Sequence, residues 1–445
     1  MKKFKLFPFK IKIDNRTKLS YGYLLKWMVL SILAGIIGSV IVHSFIFLST
    51  GLSSFLLSFN FPIPLWPVFG AMIAGGIIYR LQPHAAGEGI PSYIRGIRIH
   101  KGDLLFSVTF FKYWAALATL STFGNGGVVG PLGRVSAGTM SFIEGKLNSF
   151  HIGFTKEDQH TAAICGLAAA VGAIFHSSIG GGIFAVEIIQ KEKMGYKDLF
   201  PSILSSTTAV FLCKALGLKS FYQINAIGEF MNVNKIGWLL LLSILTGAAG
   251  GLYTYLYSLI TKVIKRKEGN VFLKVIAGSL IASLIAWAVN PELLGLSKSI
   301  FTAVLSGNLD ILTGRLGSIH SVSLILVIIL FCKALCNCVT VGSGMSAGFT
   351  GPIAIVGLLL GAAMAYYLHI ENASPTYFAF LAAGFSGMLA SSMNIPLAAA
   401  VITTETFGLQ YSFPSALAAV IGFQITRHQT IYDYALAGAG LTLDD

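Results

Sequence analysis

The chain has 445 residues, 55% hydrophobic and only 11% charged, with a mean hydropathy of +0.76. That composition excludes a soluble globule and a disordered chain and indicates a membrane protein. The formal net charge of +13 sits largely in a terminal arm and short loops. It suits anionic lipid and cytoplasm-facing loops rather than nucleic acid.

In chain order, a basic arm (1–22) carries Lys2, Lys3, Lys5, Lys10, Lys12, Arg16 and Lys18. Apolar runs follow at 25–58, 62–80, 104–123, 161–189, 199–217, 237–263, 271–289, 322–341, 353–369, 376–402 and 412–427. Each suits a membrane segment. The first is too long for a cleaved leader and lacks a small-residue cleavage site. Several runs lie close together or are broken by Gly and Pro, which predicts tilted, short and re-entrant helices. The 49 glycines fit close helix packing in a membrane interior. Cys165, Cys213, Cys332, Cys336 and Cys338 all fall in apolar runs and read as packing residues. No metal, cofactor or C-terminal soluble domain is expected.

The chain contains itself twice. Leu30–Gly38 recurs 212 residues later as Leu242–Gly250, and Pro83-x3-Gly87-x-Gly89 recurs 208 later as Pro291-x3-Gly295-x-Ser297. Lys112 precedes Gly127-x2-Gly130-Pro131 as Lys333 precedes Gly348-x2-Gly351-Pro352, with the same 19-residue step from Lys to Pro. Ser178 and Glu187 echo Pro396 and Glu405. These anchors divide the chain into repeat 1 (23–230) and repeat 2 (231–440). Orientation follows from basic residues. The first long run is preceded by the basic arm, whereas its counterpart is followed by Lys262, Lys265, Arg266 and Lys267. Basic flanks favour the cytoplasm, so one copy starts inside and the other ends inside. That is the inverted-repeat plan of transporters and channels, with the N-terminus cytoplasmic and the bacterial inner membrane the expected site.

Three glycine-rich breaks interrupt apolar sequence: Gly87-Glu88-Gly89-Ile90-Pro91, Gly127-Val128-Val129-Gly130-Pro131 and Gly348-Phe349-Thr350-Gly351-Pro352. Non-helical backbone survives in a membrane only where it is buried or lines a cavity. Each proline stands where the first turn of a helix accepts one. Three helix N-termini aimed at one point would bind an anion through backbone N–H groups. The plainer alternative is that Gly-x-x-Gly-Pro only permits close packing.

The ordered set resembles the CLC family of chloride channels and chloride/proton antiporters, whose signatures read Gly-Ser-Gly-Ile-Pro, Gly-Lys/Arg-Glu-Gly-Pro and Gly-x-Phe-x-Pro. The likeness also covers Pro291–Gly295, Gly166–Ala170, Asn394–Leu397 through Glu405, and Ile431-Tyr432, where Tyr432 resembles the pore tyrosine. It spans roughly residues 20 to 440. The resemblance implies an all-α multi-pass fold of antiparallel repeats, and a homodimer with one anion pathway per subunit. Chloride or another small monovalent anion would pass the three breaks and Tyr432.

The departures are as informative. Glu88 stands where the family has a serine that meets the ion. Val129 stands at the gating glutamate, Val128 at the preceding basic residue, Ile188 at the inner proton-transfer glutamate, and Thr350 at the usual Phe, with Phe349 before it. Glu88 reads two ways: as an acid placed at a helix N-terminus for dipole reasons, or as a tethered anion in the central site, carrying gating or proton coupling. Passive conduction is the first expectation, because the antiporter acids are absent. Proton-coupled exchange through Glu88, or a substrate other than chloride, is the alternative.

Further positions are less directive. Lys112 and Lys333 either add positive potential or pair with Glu187, Glu405 or carbonyls; both glutamates read as structural. Arg134 would line a mouth of the pathway, Tyr434 competes with Tyr432 for the alignment, and His176 reads as a hydrogen-bonded histidine. Gly344-Met345-Ser346-Ala347-Gly348 matches Gly-x-Ser-x-Gly, but it has neither the preceding strand nor the partner histidine of a serine nucleophile. An intramembrane enzyme is therefore the least favoured reading.

Overall fold

The computed structural model describes residues 15–149, 156–189, 196–220, 222, 224, 231–266, 270–313, 316 and 319–437 (backbone only at 15–23, 149, 156, 233, 313, 434, 435 and 437). Lys2, Lys3, Lys5, Lys10, Lys12 and Lys267 therefore lie outside what is described, as do the side chains of Arg16, Lys18 and Tyr434.

The first half contributes α1 (Asn15–Leu57), α2 (Trp66–Gly76), α3 (Ile90–Arg98), α4 (Phe106–Ser121), α5 (Val129–Ser149), α6 (Lys156–Phe175), α7 (Ser178–Glu187) and α8 (Tyr196–Ala215). The second contributes α9 (Ile236–Arg266), α10 (Val271–Val289), α11 (Lys298–Ser306), α12 (Asp310–Thr313), α13 (Val322–Gly342), α14 (Thr350–Tyr367), α15 (Pro375–Met393), α16 (Pro396–Phe407), α17 (Ser412–Thr426) and α18 (Ile431–Ala437). Apart from the inserted α12 and the final α18, the halves match helix for helix. α1 packs on α6 and α8 as α9 packs on α15 and α17, and α2 packs on α4 as α10 packs on α13. The fold is thus an all-helical membrane fold with an inverted internal repeat.

Among the described residues, seven helical spans are long and apolar enough to cross a membrane. The short ones, α3, α7, α11 and α16, stop part-way, as the Gly and Pro interruptions predict. The runs 161–189 and 376–402 each resolve into two helices. The first breaks at His176 (φ 53°) and the second at Asn394 (φ 62°), which are repeat-related positions. A left-handed residue ends a helix cleanly, and His and Asn tolerate it better than most.

The centre is α14 and α15, which are buried along nearly their whole length. A helix apolar all round belongs inside, not at a lipid face. Around them the repeats close through glycine: a Cβ on Gly35 of α1 would sit 2.7 Å from the Ser205 carbonyl of α8. Its lipid-facing counterparts, such as Val40, Phe47, Leu241 and Leu252, stay exposed.

Candidate functional site

The two Gly-x-x-Gly-Pro breaks meet back to back. Gly127 N–H donates to Gly348 O and Gly348 N–H donates to Gly127 O, both at 2.8 Å, forming an isolated antiparallel bridge. A Cβ on Gly127 would lie 2.9 Å from Gly351 N, and one on Gly348 would lie 3.0 Å from Gly130 N. Glycine is required at both for this approach. The N-termini of α5 and α14 are therefore brought face to face, each with its proline in the first turn, where no N–H is missed.

The loops before α3 and α11 join the same centre by matched bonds. Gly87 N–H donates to Gly344 O at 3.2 Å, and its repeat equivalent Gly295 N–H donates to Phe123 O at 2.8 Å. The paired lysines hold these loops. Lys112 Nζ donates to the carbonyls of Ala85 (3.0 Å), Ala86 (3.2 Å) and Gly87; Lys333 Nζ donates to those of Leu293 (3.0 Å) and Gly295 (3.1 Å). Of the roles open from sequence, carbonyl pairing is the one realised.

Into this centre projects Glu88. Gly87 and Gly89 hold positive φ angles of 70° and 118°, and the carboxyl folds back so that Ile90 N–H donates to Oε2 at 2.7 Å. Its other oxygen makes no hydrogen bond of good geometry, although the Phe349 amide lies near enough to act on the carboxyl. The same carboxyl rests against Gly130, where any Cβ would overlap it. Glu88 is 4% exposed. A buried carboxylate oxygen without a donor is costly, at about 1–3 kcal/mol; here three helix N-termini of opposite sign surround it.

Of the other sequence-predicted residues, Ile90, Val128, Val129, Phe349, Thr350 and Tyr432 are all buried, while Gly87 and Pro91 are half-buried. Val129 opens α5, and Pro131 and Pro352 occupy the first turns of α5 and α14. Thr350 and Tyr432 place their hydroxyls beside one another at the start of α14 and α18, near Glu88, each without a hydrogen bond of good geometry. Tyr257 of α9 packs edge-on against Phe349, ring centroids 4.6 Å apart. Sequence reasoning missed Tyr257, which has no motif around it. It also missed Asn337, whose amide donates to Asn125 O at 3.3 Å and Gly348 O at 3.4 Å and so braces the bridge from behind.

Other expectations resolve differently. Arg134 does not line a mouth: it is buried, with Nε donating to Ser92 Oγ (2.9 Å) and Nη1 to Thr109 Oγ1 (3.0 Å), tying α3 and α4 to α5. Glu187 accepts from Leu397 and Ala398 N–H (3.0 and 2.7 Å) at the start of α16. Glu405 accepts from Ile179 and Gly180 N–H (3.1 and 3.0 Å) and from Ser177 Oγ at the start of α7. Two helices thus cap each other with their last carboxylates, a structural use of both acids. Ser346 is buried in the turn between α13 and α14, and among the described residues no histidine bonds to it.

Residues 70–427 match the family model described as voltage gated chloride channel. A chloride/fluoride channel protein of Pseudomonas syringae pv. tomato is 24% identical over 432 residues, covering 92% of this chain and 86% of that protein. The H(+)/Cl(-) exchange transporter ClcA of Vibrio cholerae is 24% identical over 454 residues, covering 95% and 90%. The crystal structure of a CLC-type fluoride/proton antiporter superposes with a TM-score of 0.77 at 19% identity, covering 95% of this chain and 98% of that one. With the family model matched over most of its length and the inverted-repeat helical fold in place, the chain belongs to the CLC family of voltage gated chloride channels and transporters.

Proposed function

We propose that this integral membrane protein is a passive conduction pathway for a small monovalent anion, in which the Glu88 carboxyl is a tethered competitor for the central position. The observation that carries the reading is the meeting of the Ile90 amide, the Phe349 amide and Gly130 on one buried carboxyl. Groups arranged to favour a fixed negative charge favour a mobile one in its place once the side chain withdraws or takes up a proton. The pathway runs past Gly87 to Pro91, Gly127 to Pro131, Gly348 to Pro352 and Tyr432, with backbone amides as the main ligands.

Passive flow is the first choice because Val129 and Ile188, both buried, stand where proton-carrying acids would be, and neither can titrate. Chloride and fluoride are the candidate ions, since relatives named for both match most of the chain. A homodimer in a bacterial plasma membrane accompanies this reading. The exposed Lys262, Lys265 and Arg266 at the end of α9 support that end facing the cytoplasm. A second reading, proton-coupled exchange through Glu88, is favoured by that same carboxyl in the anion position. Flux from proteoliposomes, with halide and pH followed together in weak buffer, separates the two. Halide efflux without proton movement supports the passive pathway. A halide gradient that drives protons uphill overturns it in favour of exchange.

A further inference from the structure

Away from the Glu88 centre, three potential metal ligands from three elements converge: His43 of α1, His176 at the break between α6 and α7, and Cys213 of α8. One donor atom from each lies within 4.8 Å of the other two. We propose that these residues form a binding site for a soft-to-borderline d10 cation, Zn2+ in the first instance, unrelated to the anion pathway.

The chemistry of the donors points this way. His43 Nδ1 lies 2.9 Å from the Ser39 carbonyl, which can only accept, so that nitrogen carries the proton. Nε2 is left with its lone pair, buried and without a partner. A metal-bound histidine characteristically donates its second N–H to a carbonyl in this way, which fixes tautomer and ring. His176 Nε2 is also buried and unpartnered, held at the helix break by a left-handed backbone. The Cys213 sulfur sits 3.7 Å from His43 Nδ1, so a χ rotation of the imidazole or the thiol is needed to bring Nε2 and sulfur onto one ion, and the cysteine is free and buried. An orphaned nitrogen on each imidazole and a free thiol make a poor apolar core but supply three donors for thiolate-and-imidazole coordination.

Tetrahedral zinc, with metal–nitrogen and metal–sulfur bonds of about 2.0 and 2.3 Å, needs its donors about 3.3–3.6 Å apart. From a spacing of up to 4.8 Å, a closure of about 1.2–1.5 Å by rotation of the side chains reaches that geometry. Three protein ligands leave a fourth position for water or chloride. His176 also lines a cleft of about 400 Å³ shared with Lys214, Ser220 and Glu405. That cleft supplies an entry path. Binding would release the thiol proton and pin α1 and α8 to the turn that feeds α7.

The site lies toward the C-terminal half of α1. α1 and α8 run parallel there, since Gly35 abuts Ser205 and Thr208 while His43 meets Cys213.

The test uses the full-length protein in detergent with any affinity tag removed, dialysed against Co2+ and, separately, Zn2+. One equivalent of metal per subunit is expected, with a near-ultraviolet thiolate-to-cobalt charge-transfer band and a raised Tm. Cys213→Ser should abolish the band, and His43→Gln or His176→Gln should weaken binding by at least tenfold. Each variant's elution profile and apo Tm report that it folds. Overturning results are no bound metal in the folded wild-type protein, or binding and band unchanged in Cys213→Ser combined with His176→Gln.

Discussion

Replacing Glu88 with alanine is the perturbation that bears most directly on the proposed pathway. In the native chain the carboxyl holds the central position through the 2.7 Å bond from Ile90 N–H and through the field of the converging helix ends. A hydrogen bond to an ionised acceptor is worth about 1.5–3 kcal/mol. A mobile anion must displace that interaction before it binds, so its affinity is lowered by the fraction of time the site is vacant. At 1.36 kcal/mol per decade, the penalty is about 10- to 150-fold. Glu88→Ala should therefore tighten halide binding by about that factor, read by calorimetric titration of the purified protein. Liposome flux should lose most of its pH dependence, because the one carboxyl in the site is gone. Glu88→Gln, neutral but of the same size, should remove the pH dependence while keeping part of the steric block. Affinity and pH response both unchanged in Glu88→Ala would refute the tethered-competitor reasoning, whatever the protein transports.

Val129→Glu adds a second carboxyl at the start of α5, beside Glu88. Halide efflux from liposomes should fall at neutral pH and recover on acidification, as the added charge is neutralised. Gly127→Ala sets a Cβ 2.9 Å from Gly351 N and 3.1 Å from Pro352 Cδ. Such overpacking costs about 1–3 kcal/mol, and flux and Tm should drop together. Lys333→Met leaves the Gly295 carbonyl without its buried donor, at about 1–3 kcal/mol, while the Leu293 carbonyl keeps its bond from Asn125 Nδ2. A clear fall in Tm is expected, with wild-type halide affinity in whatever fraction folds. Glu405→Ala uncaps α7 by removing the acceptor for Ile179, Gly180 and Ser177. A Tm loss worth roughly 2 kcal/mol should follow, with ion selectivity unchanged.

What the sequence carried and what it withheld divide along a physical line. The inverted repeat, the three breaks and the lysine-to-proline step are local patterns, so they can be read from the chain. In the fold they become the Gly127–Gly348 bridge, the loops held by Lys112 and Lys333, and the reciprocal caps of Glu187 and Glu405. Partners across the molecule are another matter. Nothing in the spacing said that Lys112 would bind carbonyls rather than a glutamate, that Arg134 would be absorbed by two hydroxyls, or that His43, His176 and Cys213 would meet. The first two contacts are fixed by how α3, α4 and α5 pack and the last by how α1, α6 and α8 pack, and packing sums many weak terms that no short motif records. Symmetry explains why the residues of the converging breaks were the more legible part. A two-fold relation forces each pivotal feature to occur twice, at offsets of 208 to 221 residues, so noise at one copy is checked by the other. Glu88 is the exception that symmetry exposes. Its repeat counterpart is Leu296, an apolar residue with no such role. The carboxyl is an addition to one half of a duplicated frame, and function in this chain is best sought where the two halves disagree.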